Sequence, residues 1–428
     1  MANDSLHIDT GSSANDRVAV AALRLDSSLE FFPLSVRKEG EEFFVGRMGG
    51  EFVSLPSIGG EALELMRSGI SLGEAQQRLS AACGEEVEVT SFAQTMIELG
   101  FVRSIDGTIL TSVEALPPSN LLWLKAHHVN WLFSKAMMFL LGTLTVGCIA
   151  SLVTHPDLLP RYQDFFFSRW VGFSLLGNLI GWFVLGGVHE LFHLFAARSR
   201  GAGARITLST RLHHLALQTD VSGIWSVPRG HRYRVYLAGM AFNGAIFCIS
   251  ILVLAMGILP LSFVPVLKAF ALINFLCLVG ELHLYMRTDM YFVALDVFDC
   301  RNLFGDSLAY ALYILRSVLS RGVSVEDPTK HLPPSEGRVI RIYAVAMVIG
   351  SGVALVMAAL YSLPTGFMAL RQAAGHTLEG LQRSDALLAL DGFVALAVQL
   401  LLLVTFATAF VRTHPSWFTW LVASETKR

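Results

Sequence analysis

From about residue 131 onward, long apolar runs alternate with short polar breaks. Six runs stand out, at about 131–153, 171–197, 235–259, 263–285, 340–362 and 387–411. Each is near the roughly 20 residues that an α-helix needs to cross a bilayer. Before residue 108 the pattern differs. Two short runs, 42–46 and 51–55, flank Met48-Gly49-Gly50, a hairpin signal. Three stretches with helical spacing follow: Ile58, Ala62, Leu65 and Met66; then Leu72, Ala75 and Leu79 behind Ser71; then Phe92, Met96, Ile97 and Leu99 behind Thr90. The pattern predicts a mostly α, polytopic membrane protein with about six transmembrane helices, plus a small α+β, winged-helix-like N-terminal domain. The expected divisions are a polar tail at 1–16, the small domain at 17–107, and a linker at 108–130 containing Pro117-Pro118. A six-helix membrane domain at 131–412 follows, with a hairpin loop at 198–234 and a polar segment at 299–339, and the chain ends in a tail at 413–428.

Composition sharpens this picture. Of 428 residues, 53% are hydrophobic and 15% charged, with mean hydropathy +0.55, too apolar for an ordinary soluble enzyme. A net charge of -2 without a basic face argues against a nucleic-acid partner. The five cysteines, Cys83, Cys148, Cys248, Cys277 and Cys300, form no CxxC pair and read as free thiols. Residues 1–16 lack a basic stretch followed by an apolar one, so no cleaved signal peptide is expected. Orientation follows from the loops. Stretch 198–234 carries seven arginines (198, 200, 205, 211, 229, 232 and 234), whereas 154–170 carries only Arg161 and Arg169. Positive charge stays inside, so loop 198–234 and both termini are expected in the cytoplasm, with the helices in the cell inner (cytoplasmic) membrane. Later loops agree less sharply, with six basic residues in 286–339 and two in 363–386.

The candidate chemistry lies in the second apolar run. Residues 186–198 contain an HExxH box, His189, Glu190 and His193. On a helix, positions i and i+4 share a face, so both imidazoles can bind one Zn2+ while Glu190 acts on water. Two core histidines with an incidental glutamate is the plainer alternative, but ionisable groups at that depth are costly and mark function. His189 precedes Arg198 by nine residues, about 13 Å of helix, which places the box inside the bilayer near its cytoplasmic side. A catalytic zinc needs a third protein ligand. Asp289, in a polar break after the fourth run, is favoured by depth; Asp296, Asp299, His213, His214 and Asp220 are the other candidates. Stretch 204–228 alternates apolar and polar residues at close to period two, a hairpin pattern. It either offers an edge strand to an extended peptide or lies on the headgroups, anchored by Arg205 and Arg211.

Two resemblances bear on function. In the small domain, the hairpin followed by Ser57-Ile58-Gly59-Gly60-Glu61-Ala62, Gly69-Ile70-Ser71-Leu72-Gly73-Glu74-Ala75 and Leu99-Gly100-Phe101-Val102 resembles the PqqD-like domains of peptide-modification pathways. The resemblance implies a module that binds the leader of a ribosomally made precursor peptide as an added strand. A generic winged helix packed on the membrane domain is the alternative. In the membrane domain, His-Glu-Leu-Phe-His at 189–193, Arg-Val-Tyr-Leu-Ala-Gly-Met-Ala-Phe-Asn at 234–243 and Arg-Thr-Asp-Met-Tyr-Phe at 287–292 resemble the site-2 protease family of intramembrane zinc metalloproteases. More narrowly, Asp220, Ser222 and Trp225 match an Asp-x-Ser-x-x-Trp stretch of the peptide zinc metalloproteases found with peptide-modification genes.

The second resemblance implies His189, His193 and Asp289 as zinc ligands, Glu190 as general base, Asn243 near the substrate or its oxyanion, and Asp220, Ser222 and Trp225 as substrate-binding. The family usually has proline where Met240 stands and Asp-Gly where Asp289-Met290 stands; its asparagine-proline is missing, with His283 roughly in that place. The expected activity is that of a zinc metalloendopeptidase cleaving a precursor peptide recruited by the N-terminal domain. Leader peptide and membrane lipid are the expected partners, with modification enzymes or an ABC exporter beside them. Two alternatives stay open: a peptide export or immunity protein with a structural metal site, and a site-2 protease acting on a membrane-anchored regulator.

Overall fold

The computed structural model describes residues 23–40, 42–47, 52–110, 121, 123–211, 214–220, 223–224, 227–286, 288–298, 300, 302–319 and 326–413. The Met48-Gly49-Gly50 turn, Pro117-Pro118, His213, Ser222, Trp225, Asp299 and both expected tails, apart from Thr413, lie outside these. The chain is mostly helical and divides into two compact units. One comprises the residues before 127 with 197–205 and 220–232; the other comprises 127–196, 206–219 and 233 onward. Loop 198–234, assigned whole to the membrane domain by the sequence pattern, is thus shared between the two units.

The first unit holds two small antiparallel sheets and three helices. Strands β1 (Leu29–Phe31), β5 (Val102–Ile105) and β6 (Thr108–Ile109) form one sheet, in that order. Strands β2 (Leu34–Glu39), β3 (Glu42–Arg47) and β4 (Phe52–Pro56) form the other, with Val45 opposite both Val36 and Val53. The pattern of apolar positions flagged β3 and β4; β2 completes their sheet, and β6 occupies part of the expected linker. Alternation along β3 turns Phe43 and Val45 inward. There they meet Leu63 and Met66 of α1 (Ser57–Arg67), Leu72, Ala75 and Leu79 of α2 (Leu72–Cys83), and Ala93 and Met96 of α3 (Val89–Glu98). Gly60 permits this packing, since a Cβ there would overlap the Phe43 ring. Ser71 caps α2 by accepting from Glu74 N at 3.3 Å, and Gly84 ends it in the left-handed region at φ 73. Thr90 does not cap α3, which begins one residue earlier behind Glu88.

In the second unit, α4 (Lys135–Thr154) extends an apolar helical stretch that begins at Ala126. Then follow along the chain α5 (Val171–Ser199), the hairpin strands β7 (Arg205–Arg211) and β8 (His214–Asp220), α6 (Arg229–Tyr236), α7 (Ala238–Met256), α8 (Val264–Gly280), α9 (Asp289–Phe298), α10 (Leu303–Leu319), α11 (Pro334–Met357), α12 (Leu363–Arg383) and α13 (Ala386–Thr413), of which the last residues of α5, the outer ends of β7 and β8 and the first half of α6 count with the first unit. Among the described residues five helices are long and apolar enough to cross a membrane, the composition of a membrane protein. The sequence pattern gave six. The fourth run forms only the 17-residue α8, about 26 Å long, because helical pairing stops at Gly280 and the chain turns through Glu281. Most of the stretch 363–386, counted as a loop, is helix α12, continuous with α11 through a π-helical turn at Ala358–Ser362. Ala369, Ala373 and Gly380 give α12 a small-residue face, and α13 packs closely on it at Ala389, Gly392 and Ala395.

At the start of α5, Ser168 Oγ accepts from Trp170 N at 3.2 Å, and Asp391 of α13 caps the next three N–H groups. Its carboxylate accepts from Val171 N at 2.9 Å, Gly172 N at 2.9 Å and Phe173 N at 3.3 Å, and His376 Nδ1 lies 2.8 Å from Oδ2. Three of the four orphan donors at the helix start are thereby satisfied by one anion, which also suits the positive end of the helix dipole. Replacing Asp391 with Ala leaves buried donors unpaired and should destabilise the protein by about 1–3 kcal/mol, with a smaller loss for Asp391→Asn. Thermal unfolding of the detergent-solubilised variants measures both.

Candidate metal centre

Helix α5 carries His189, Glu190 and His193 one turn apart near its C-terminal end. The i, i+4 spacing brings His189 Nε2 to 3.0 Å from His193 Nε2. Asp289 opens α9, a hundred residues later. Its Oδ2 lies 3.2 Å from His189 Nε2 and 2.9 Å from His193 Nε2. Among the described residues these three form the one group of His, Cys, Asp and Glu side chains placed to hold a metal ion. The site is largely enclosed, with the His193 side chain 7% exposed, His189 12% and Asp289 19%.

The donor set fits a divalent cation. Tetrahedral zinc with bonds of about 2.0–2.1 Å separates its ligand atoms by roughly 3.3 Å, within a few tenths of the three observed separations. Charge argues the same way. His193 Nδ1 is 2.7 Å from the Val235 carbonyl, which can only accept, so that nitrogen carries a proton, and in the neutral ring Nε2 then presents its lone pair. A bare nitrogen facing a carboxylate oxygen at 2.9 Å repels it unless a cation or a proton lies between them.

Neighbouring elements fix each candidate ligand. On α7, Gly239 and Asn243 are four residues apart and face His189. A Cβ on Gly239 would overlap the imidazole, and Asn243 Nδ2 is 3.2 Å from His189 Nδ1. Asn243, expected near the substrate, therefore touches the outer nitrogen of His189. Asp289 is anchored through the turn before it. Its N–H donates to Glu281 Oε2 at 2.8 Å, and Thr288 Oγ1 donates to the Glu281 carbonyl at 2.8 Å. Helix α11 supports that turn. Tyr343 Oη donates to the Leu284 carbonyl at 3.0 Å, and a Cβ on Gly350 would come within 2.9 Å of the Leu282 carbonyl.

Glu190 is held by the hairpin. Thr219 N donates to Glu190 Oε2 at 2.8 Å, and Thr219 Oγ1 donates to the Glu190 carbonyl at 2.9 Å. One oxygen of the carboxylate is thus committed, which fixes the orientation of the other.

The remaining expected residues are spread out. Asp220 ends β8, and Ser222 and Trp225 lie outside the described residues. Asp296 is buried two turns along α9 and does not join the metal group, and His214 begins β8. His283 stays apart from it too, its Nε2 buried and without a hydrogen-bond partner. Sequence reasoning missed Gly239, Thr219 and the role of Glu281. Glu281 had a visible signal, a lone acid ending an apolar run; a threonine in an alternating strand and a glycine in an apolar helix had none. No family model, curated protein or solved structure matches the chain.

Gly239→Ala tests the packing directly. Alanine favours a helix over glycine, so α7 should form, while the methyl displaces the His189 ring. The expected outcome is an unfolding midpoint within a few degrees of the parent and loss of zinc from the purified chain, read by elemental analysis.

Proposed function

We propose that the chain is a membrane-embedded zinc metallopeptidase, similar to site-2 proteases, that cleaves a ribosomally made precursor peptide recruited by its N-terminal unit. The observation that carries the reading is the convergence of His189 Nε2, His193 Nε2 and Asp289 Oδ2 within 2.9–3.2 Å, with Glu190 on the same apolar helix. Structural zinc sites are closed by four protein ligands, whereas three leave one position open, as catalytic sites do.

Zinc bound there would supply Lewis acidity, lowering the pKa of water and polarising a peptide carbonyl. The chain's own groups do the rest. Glu190 takes the proton from the attacking water as the new C–O bond forms, then delivers it to the nitrogen as the C–N bond breaks. Thr219 N–H keeps one Glu190 oxygen engaged, so the other is presented to the water in a set direction. Enclosure by α5, α7 and α9 limits the water that can compete. An extended substrate suits this chemistry because a helix hides its carbonyls in hydrogen bonds.

Recruitment is assigned to the PqqD-like, winged-helix-like unit. Its β2–β3–β4 sheet has two edge strands, β2 and β4, and an added strand is a common way for such a sheet to hold a peptide. In this reading the helices cross the inner membrane six times, α8 included, with both termini and the metal site on the cytoplasmic side. The alternatives of an export or immunity protein and of a regulator-cleaving protease differ in the reaction or in the substrate.

Glu190→Gln keeps the size of the side chain and removes its basicity. Processing of a leader-bearing precursor, followed by mass spectrometry, should fall about 10²–10⁴-fold while zinc content is unchanged. Undiminished cleavage would reject the peptidase reading. Free leader peptide added in excess should compete with processing, and indifference to it would favour a membrane-anchored regulator as substrate.

A further inference from the structure

The two histidines of the metal group differ in what their outer nitrogens meet. His193 Nδ1 faces a backbone carbonyl, an acceptor that fixes its proton there. His189 Nδ1 faces an amide side chain, which can be either donor or acceptor depending on its rotation. As placed, the Asn243 NH2 points at His189 Nδ1 at 3.2 Å, while Asn243 Oδ1 is buried with no partner. That arrangement assigns the His189 proton to Nε2, in the midst of the converging ligand atoms. A cation and that proton cannot share the position.

We infer that Asn243 is the positioning residue for ligand His189, and that in the metal-bound protein its carbonyl oxygen, rather than its NH2, accepts from His189 Nδ1–H. The inference rests on the zinc reading above and adds a determinant of affinity to it. Turning the amide by half a revolution exchanges two groups of nearly equal size, so it needs no repacking. It gives the orphaned oxygen a donor, and it leaves His189 Nε2 bare toward the ligand position. The displaced NH2 has a precedent within this molecule. Asn178 and Asn274, also buried in apolar helices, turn their NH2 groups onto the carbonyl four residues earlier, Ser174 O at 2.7 Å and Phe270 O at 2.9 Å. For Asn243 the equivalent carbonyl belongs to Gly239, the residue that makes room for the His189 ring. One turn of α7 thus sets both the position and the tautomer of the ligand. Acceptors on the outer nitrogen of a ligating histidine fix its orientation and raise its basicity, and their loss commonly costs 10–100-fold in metal affinity.

The test is zinc affinity, measured on the full chain in detergent by competition with a chromophoric chelator. Asn243→Asp retains only acceptors and should bind zinc at least as tightly as the parent. Asn243→Leu fills the same volume without an acceptor and should bind 10–100-fold more weakly. Asn243→Ala should show the same loss, which covers a Leu variant that fails to fold; equal unfolding midpoints in chelator show that the fold is not the cause. Parent-like affinity in both apolar variants would overturn the inference while leaving the zinc reading intact. Weakened binding in Asn243→Asp, with the apolar variants unaffected, would overturn it by showing that His189 needs no acceptor there. A parent chain that takes up no zinc would remove the reading on which the inference rests.

Discussion

Three atoms able to bind a metal, His189 Nε2, His193 Nε2 and Asp289 Oδ2, meet near the C-terminal end of an apolar helix, and much of the second unit is arranged to hold them there. His189 and His193 come from one turn of α5, so their spacing is local; Asp289 must be brought a hundred residues along the chain to within 3.2 Å of both. Lone pairs at such distances repel unless a cation or protons intervene, and the low-dielectric surroundings magnify the repulsion. The surrounding elements keep the three groups from separating. Gly239 and Asn243 enclose His189, the Val235 carbonyl fixes His193, and Glu281 ties down the first backbone N–H of α9.

The broken fourth run follows from the same constraint. A helix that continued past Gly280 would carry Asp289 away along its axis. The chain instead turns, which exposes polar backbone that hydrocarbon cannot satisfy. Each freed group named so far has a partner within the protein: the Glu281 carbonyl takes Thr288 Oγ1, the Leu284 carbonyl takes Tyr343 Oη, and Asp289 N reaches the Glu281 carboxylate. Gly350 allows α11 to lie against the turn. Helices α11 to α13 therefore do more than fill the bilayer. One supports the turn before Asp289, and another caps the far end of α5 through Asp391.

What could be read from the sequence divides along the same line. The HExxH box was legible because its geometry is set by helical pitch alone. Asp289 was legible because a carboxylate within an apolar stretch is costly wherever it lies. Thr219 and Gly239 were not, since their roles exist only where distant segments meet. The α12 segment was mistaken for a loop because Arg371, Glu379 and Arg383 lower its hydropathy, whereas what holds it as a helix is a face of small residues seated on α13. In the N-terminal unit, β3 and β4 were visible as two apolar-rich runs on either side of a glycine-containing hairpin signal; β2 and β6 depend on pairing partners that the run pattern alone does not reveal.

The metal content of the purified full chain, compared with that of Asp289→Ala and Glu190→Gln, bears most directly on the account. One zinc per chain in the parent, kept in Glu190→Gln and lost in Asp289→Ala, is the predicted result. A parent without zinc, or zinc retained undiminished in Asp289→Ala, would contradict it.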